Sequence, residues 1–94
     1  MALYLISYDV AKEDAPEYEA LWTHLRMIGA KKILYSEWAV LAGNGQARAI
    51  YDKIAPLTRL PDRLLVQELT NDAVWDKLLI PDAEFQAMCR SARG

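Results

Sequence analysis

Residues 3–10 of this 94-residue chain, LYLISYDV, decide its fold. The stretch is short, apolar and rich in aromatic and β-branched residues, and charged residues follow it, which is typical of a β-strand. Alternate residues of a strand point to opposite faces of its sheet. Both faces of this strand carry apolar side chains (Leu3 and Leu5 on one, Tyr4 and Ile6 on the other), so we expect it at the centre of a sheet.

A helix follows this strand. Five large apolar residues recur with the spacing of one helical stripe. They are Tyr18, Leu21, Trp22, Leu25 and Ile28. Asp14 and Glu17 have the spacing of a capping box, Pro16 suits a first helical turn, and Gly29 suits the residue after the helix.

The next part of the chain predicts a hairpin and a second helix. Strand-forming residues at 31–35 and 38–42 are separated by Ser36 and Glu37, which mark either a turn or a bulge in one long strand. The apolar stripe at residues 47–54 predicts a helix that Pro56 ends, with Asn44 as its N-cap. Lys31 and Lys32 begin a strand that we expect at the far edge of the sheet, where lysines protect against aggregation.

The C-terminal part predicts a fourth strand over residues 64–69 and a short helix after Asn71 or Asp72. That helix carries Val74, Trp75 and Leu78, and Pro81 ends it. We expect one more helical turn through Phe85 and Met88, followed by a frayed terminus. The predicted domain covers residues 1–80, with residues 81–94 as a C-terminal tail.

The predicted order of elements, βαββαβ, is that of an α+β, ferredoxin-like fold: an antiparallel sheet with two helices on one face, plus a short C-terminal helix. Right-handed connections then place the first strand between the third and the fourth. The other face of this sheet also carries apolar side chains, which is typical of an interface. We therefore predict a homodimer through this open face, with the C-terminal segment folded over part of it as an addition.

Composition narrows the classes of function. The chain has 53% hydrophobic and 26% charged residues, which indicates a folded domain, and its net charge of −2 argues against broad, non-specific binding of nucleic acid. Cys89 is the only cysteine, so neither an intrachain disulfide nor a cysteine-rich zinc site can form. No apolar run is long enough to cross a bilayer, and no signal peptide is apparent. We expect a cytoplasmic protein with no membrane partner.

Asp9 is the main candidate for a site. A carboxylate at the end of a buried strand can bind Mg²⁺ or Mn²⁺; alternatively it caps the following loop or pairs with Arg63. Glu37 is either a second ligand or a solvated turn residue. Four further polar residues are expected near this edge. They are Lys12, Ser36, Arg59 and Asp62. Arg59 and Arg63 can hold a phosphate backbone or are simply surface charges.

Three segments of the sequence resemble a known family. Residues 4–10 (YLISYDV), 35–40 (YSEWAV) and 62–66 (DRLLV) are similar to the small ferredoxin-like proteins of CRISPR adaptation, the non-integrase partner in spacer acquisition, and their stand-alone SinR-like relatives. The resemblance covers roughly residues 3–79. It implies that Asp9 is a metal ligand facing its twin from a second subunit, and that the protein acts on RNA or DNA, as some members do. Members with nuclease activity usually have an arginine and further basic residues soon after this Asp, whereas the residues after Asp9, VAKEDAP, are acidic overall.

Two hypotheses of function follow. In the first, the protein is a diverged member of this CRISPR-associated family and a metal-dependent endonuclease on RNA or DNA, in which Asp9 is both the catalytic residue and the ligand of Mg²⁺ or Mn²⁺. In the second, it is a non-catalytic homodimeric scaffold or accessory protein that binds a protein partner.

Overall fold

The computed structural model describes residues 1–9, 16–58, 62–70 and 72–93; for Glu17 and Arg93 it describes the backbone alone. Asp14 and Asn71, predicted as helix caps, and Lys12 and Arg59, predicted near the site, lie outside the described residues. The chain is an α+β protein with a four-stranded antiparallel sheet. Its strands are β1 (Ala2–Asp9), β2 (Lys31–Leu34), β3 (Glu37–Ala42) and β4 (Arg63–Leu69). The described helices are α1 (Glu19–Met27), α2 (Ala47–Ile54) and α3 (Asp82–Arg93).

The first strand lies inside the sheet, as its two apolar faces predict. The strand order is β2-β3-β1-β4, and β1 pairs antiparallel with both β3 and β4. The predicted hairpin is also confirmed, since β2 and β3 are separate antiparallel strands joined at Tyr35 and Ser36.

One face of the sheet packs against α1 and α2, and we call it the helical face. Tyr4, Ile6 and Tyr8 of β1 point to this face and are at most 5% exposed. Leu21 and Leu25 of α1 belong to the same core cluster. Burial of these large side chains, at about 1.5–3 kcal/mol each, is the main term that holds the helices on the sheet.

The opposite face packs against α3 and the segment before it, and we call it the C-terminal face. Leu3 of β1 and Ala39 of β3 are buried there with Phe85 and Met88 of α3. The prediction of a short helix through Val74, Trp75 and Leu78 is wrong, because residues 72–80 form no helix. Instead Trp75 and Leu78 pack on this face. The aromatic rings of Trp75 and Phe85 pack in a T-shaped arrangement, with 4.8 Å between their centroids. Part of the face that we expected to form the dimer interface is therefore covered by the chain's own C-terminal segment, as the sequence allowed.

The last helix is longer than expected. Where the sequence predicted one turn and a frayed end, α3 spans 12 residues and is in contact with β1 and β3. The apolar stripe of Phe85, Met88, Cys89 and Ala92 explains this difference, since these residues line one side of α3 and pack against the sheet.

The two ends of α1 differ in how well local sequence signals predict them. Gly29 follows α1 with a positive φ of 82°, as predicted for a residue that ends a helix. Before α1, Pro16–Tyr18 form a 3-10 turn, so the α-helix itself begins later than Pro16 suggested.

The prediction that Asn44 caps α2 is wrong. Gln46 is the N-cap, and its side chain makes no capping hydrogen bond. The Tyr4 hydroxyl accepts a hydrogen bond from the Gln46 backbone N–H and donates one to the Gly43 carbonyl, each at 2.8 Å. A residue of β1 thus provides hydrogen-bond partners for the Gln46 N–H and the Gly43 carbonyl at the start of α2. None of the described helices is long and apolar enough to span a bilayer.

Candidate functional site

Four polar side chains form a group at one end of the C-terminal face. Ser7 lies opposite Glu37 in the β1–β3 register, and Asp9 lies opposite Arg63 in the β1–β4 register. Directly opposed residues of neighbouring strands share a face of the sheet. We call Ser7, Asp9, Glu37 and Arg63 the polar group.

Two close contacts join the members of the polar group in pairs. Nη1 of Arg63 donates a hydrogen bond to Oδ2 of Asp9 at 2.8 Å, and the Ser7 hydroxyl donates a short one to Oε2 of Glu37. The Arg63 and Asp9 side chains are 82% and 69% exposed, so water screens their attraction. Such an exposed pair contributes at most about 1 kcal/mol to folding and leaves both groups accessible to a partner.

The position of Asp9 agrees with one of the alternatives that the sequence left open. Its carboxylate pairs with Arg63, so the charge of Asp9 is compensated. Glu37, predicted as a second ligand or a turn residue, is the first residue of β3 and accepts the hydrogen bond from Ser7.

The other residues expected near this edge have different roles. The Asp62 carboxylate accepts hydrogen bonds from the Tyr18 hydroxyl at 2.9 and 3.0 Å, which ties the start of β4 to the turn before α1. The Ser36 carbonyl accepts a hydrogen bond from the Tyr8 backbone N–H at 3.0 Å and so extends the β1–β3 pairing into the turn.

The residues described in one protomer do not fit a metal centre. Mg²⁺ is usually held by one or two carboxylates, with water and substrate phosphate completing six ligands. Asp9 already has a guanidinium beside it and Glu37 a hydroxyl, and no group of three or more metal-ligating side chains occurs among the described residues. We therefore derive no catalytic step through a metal ion.

A cavity of about 440 Å³ lies next to the polar group. Leu5, Trp75 and Phe85 line its apolar part, and Glu37 lies on its wall together with Asp72 and Asp76. Sequence reasoning missed this cavity because it assigned residues 72–80 to a helix, and the observed non-helical segment places the same residues differently over the sheet. The isolated Asp72 and Asp76 beside Trp75 gave no recognisable motif.

A scan against models of known protein families finds none that matches this chain.

Proposed function

We propose that this chain is a non-catalytic homodimeric accessory protein, a cytoplasmic and diverged relative of the ferredoxin-like proteins of CRISPR adaptation and of their SinR-like relatives. The strand order, with α1 and α2 on the helical face, supports the ferredoxin-like assignment. The three segments that resemble the family support the relationship. On this proposal the protein contributes a surface to a larger assembly and performs no reaction.

The Asp9–Arg63 ion pair is the observation that carries this proposal. A divalent ion on the Asp9 carboxylate would be repelled by the cationic guanidinium of Arg63, which lies against the same carboxylate. The pair is better suited to recognition, since an exposed guanidinium and carboxylate on one face can each bond to a partner's complementary group.

The test measures cleavage and metal binding on the same samples. Wild-type protein, Asp9→Asn and Arg63→Gln are incubated with labelled RNA and DNA, with and without Mg²⁺ or Mn²⁺, and Mn²⁺ binding is followed by electron paramagnetic resonance. Arg48→Gln is the matched control, because Arg48 forms an exposed ion pair with Asp52 elsewhere on the surface. We expect no cleavage from any protein and only weak Mn²⁺ binding, which strengthens in Arg63→Gln alone. Metal-dependent cleavage by wild type that Asp9→Asn abolishes contradicts the proposal.

The second candidate is the metal-dependent endonuclease, with Mg²⁺ or Mn²⁺ as cofactor. The register favours it in one respect: Asp9 and Glu37 are diagonal neighbours on the C-terminal face, because Glu37 lies opposite Ser7 and Asp9 lies two residues further along β1. Two carboxylates at that spacing can approach one ion if each leaves its present partner. In that case Arg63 positions the phosphate of RNA or DNA, and Arg63→Gln lowers cleavage by weakening substrate binding.

A further inference from the structure

The two edges of the sheet differ in how they are protected. At one edge, β2 has four residues, two of them lysines, and its register with β3 shifts between Lys32 and Leu34. The backbone N–H of Leu79 donates a hydrogen bond to the Ile33 carbonyl at 2.9 Å, so the C-terminal segment occupies part of this edge. Short length, lysines, an irregular register and a covering segment are the usual means by which proteins prevent an edge strand from pairing.

The other edge has none of these features. Strand β4 has seven residues in regular register with β1, and only Arg63 and Glu68 are charged. No described residue pairs with its outer side. Leu65 is 52% exposed on the C-terminal face. A cavity of about 410 Å³ lies between β4 and α2, lined by Tyr51, Leu64 and Val66 among others. A regular, mostly apolar edge of this length is a template for another strand.

We propose that the outer edge of β4 binds β4 of a second copy of this chain, antiparallel, with the twofold axis at Leu65. This makes one continuous sheet of eight strands. It is an alternative to the face-to-face dimer expected from the sequence, since part of that face is covered by the chain's own C-terminal segment.

The sequence of β4 is complementary to itself in this register. A twofold axis perpendicular to the sheet keeps corresponding faces on the same side, so residues of equal parity oppose one another. With the axis at Leu65, each Leu65 opposes its counterpart, Leu64 opposes Val66 of the partner subunit, and Arg63 opposes Gln67 of the partner subunit. Apolar residues thus meet apolar ones on both faces and the guanidinium meets a neutral amide, while Glu68 opposes Asp62 of the partner subunit, a like-charged pair at each end of the pairing that weakens the association. A second copy fits better than an unrelated peptide because symmetry repeats every favourable pair.

The proposed dimer has a consequence for the polar group. Three strand spacings and four residues of strand length separate the two Asp9 residues, which places them about 20 Å apart on the same face. They cannot share a metal ion at this distance. The dimer therefore agrees with the accessory function and rests on its homodimeric part, but it does not depend on the absence of catalysis, because its test measures mass and not cleavage.

The test is sedimentation velocity of the full chain loaded between about 1 and 500 µM, a range that covers weak as well as stable association. Leu65→Lys places a charge at the twofold axis, while Leu34→Lys is the matched control, since Leu34 is 45% exposed on the opposite edge strand. We expect dimer in wild type and Leu34→Lys, and a dissociation constant at least about tenfold weaker in Leu65→Lys. Wild type that stays monomeric throughout the range overturns the proposal, as does a Leu65→Lys protein that associates like wild type.

Cross-linking keeps the proposal open to test if Leu65→Lys does not fold. Leu65→Cys in a Cys89→Ser background is treated with a short bifunctional thiol reagent at a concentration where wild type is dimeric. Tyr35→Cys in the same background is the control, because Tyr35 is 75% exposed in the turn between β2 and β3. Rapid cross-linking through position 65 alone supports the twofold axis there; equal rates at the two positions contradict it.

Discussion

The two faces of the sheet are covered in different ways along the same strand, β1. On the helical face Tyr4, Ile6 and Tyr8 are all buried, so the cover extends along nearly the whole strand. On the C-terminal face Leu3 is 1% exposed while the Asp9 side chain is 69% exposed. The C-terminal segment covers this face of β1 as far as Leu5 and not at Ser7 and Asp9. The polar group is therefore available to a partner.

The largest expected effect tests whether packing on the helical face and packing on the C-terminal face contribute equally to the free energy of unfolding. Phe85→Ala on the C-terminal face and Leu21→Ala on the helical face each remove a side chain that is at most 3% exposed. We expect losses of about 3–5 and 2–5 kcal/mol in the free energy of unfolding, because each leaves a cavity. Urea denaturation followed by circular dichroism measures both, and Phe85→Leu gives a smaller loss if Phe85→Ala does not fold. A loss below about 1 kcal/mol for Phe85→Ala alone means that α3 is only loosely attached.

A smaller effect is expected for the hydroxyl of Tyr4 on the helical face. Tyr4→Phe keeps the packing but leaves the Gln46 N–H without its present acceptor, so we expect a loss of about 1–3 kcal/mol. Tyr35→Phe removes a hydroxyl from a tyrosine that is 75% exposed and serves as the control. Thermal unfolding of the two variants side by side measures the difference, and equal stabilities contradict the assigned role of Tyr4 at the start of α2.

The smallest effect is expected for the ion pair on the C-terminal face. Arg63→Gln in a Leu65→Lys background, where the proposed dimer does not contribute, should lower stability by no more than about 1 kcal/mol. Arg48→Gln in the same background is the control, since its pair with Asp52 is also exposed, at 3.4 Å. We expect both losses to shrink further in high salt. A loss of several kcal/mol for Arg63→Gln means that the pair is a structural element and not an available recognition feature.

The sequence by itself determined the elements whose signals are local. Apolar side chains on both faces of residues 3–10 placed β1 inside the sheet, helical spacing identified α1, and Gly29 marked where that helix ends. These features depend on side-chain period and on the backbone freedom of one residue, both of which can be read within a few positions. The pairing of Asp9 with Arg63 was only one of several alternatives at that stage, because it depends on the register between two strands 54 positions apart.

The tertiary structure alone decided how the chain ends and what covers the sheet. Trp75 and Leu78 have helical spacing, yet residues 72–80 are not helical, and these two side chains pack partly buried against the C-terminal face. At the start of α2, the Gln46 backbone N–H donates a hydrogen bond to the hydroxyl of Tyr4, which precedes it by 42 positions. No local pattern at Asn44 could reveal this contact. Contacts between distant parts of the chain outweigh local propensities of a few tenths of a kcal/mol per residue, and only the folded chain brings those parts together.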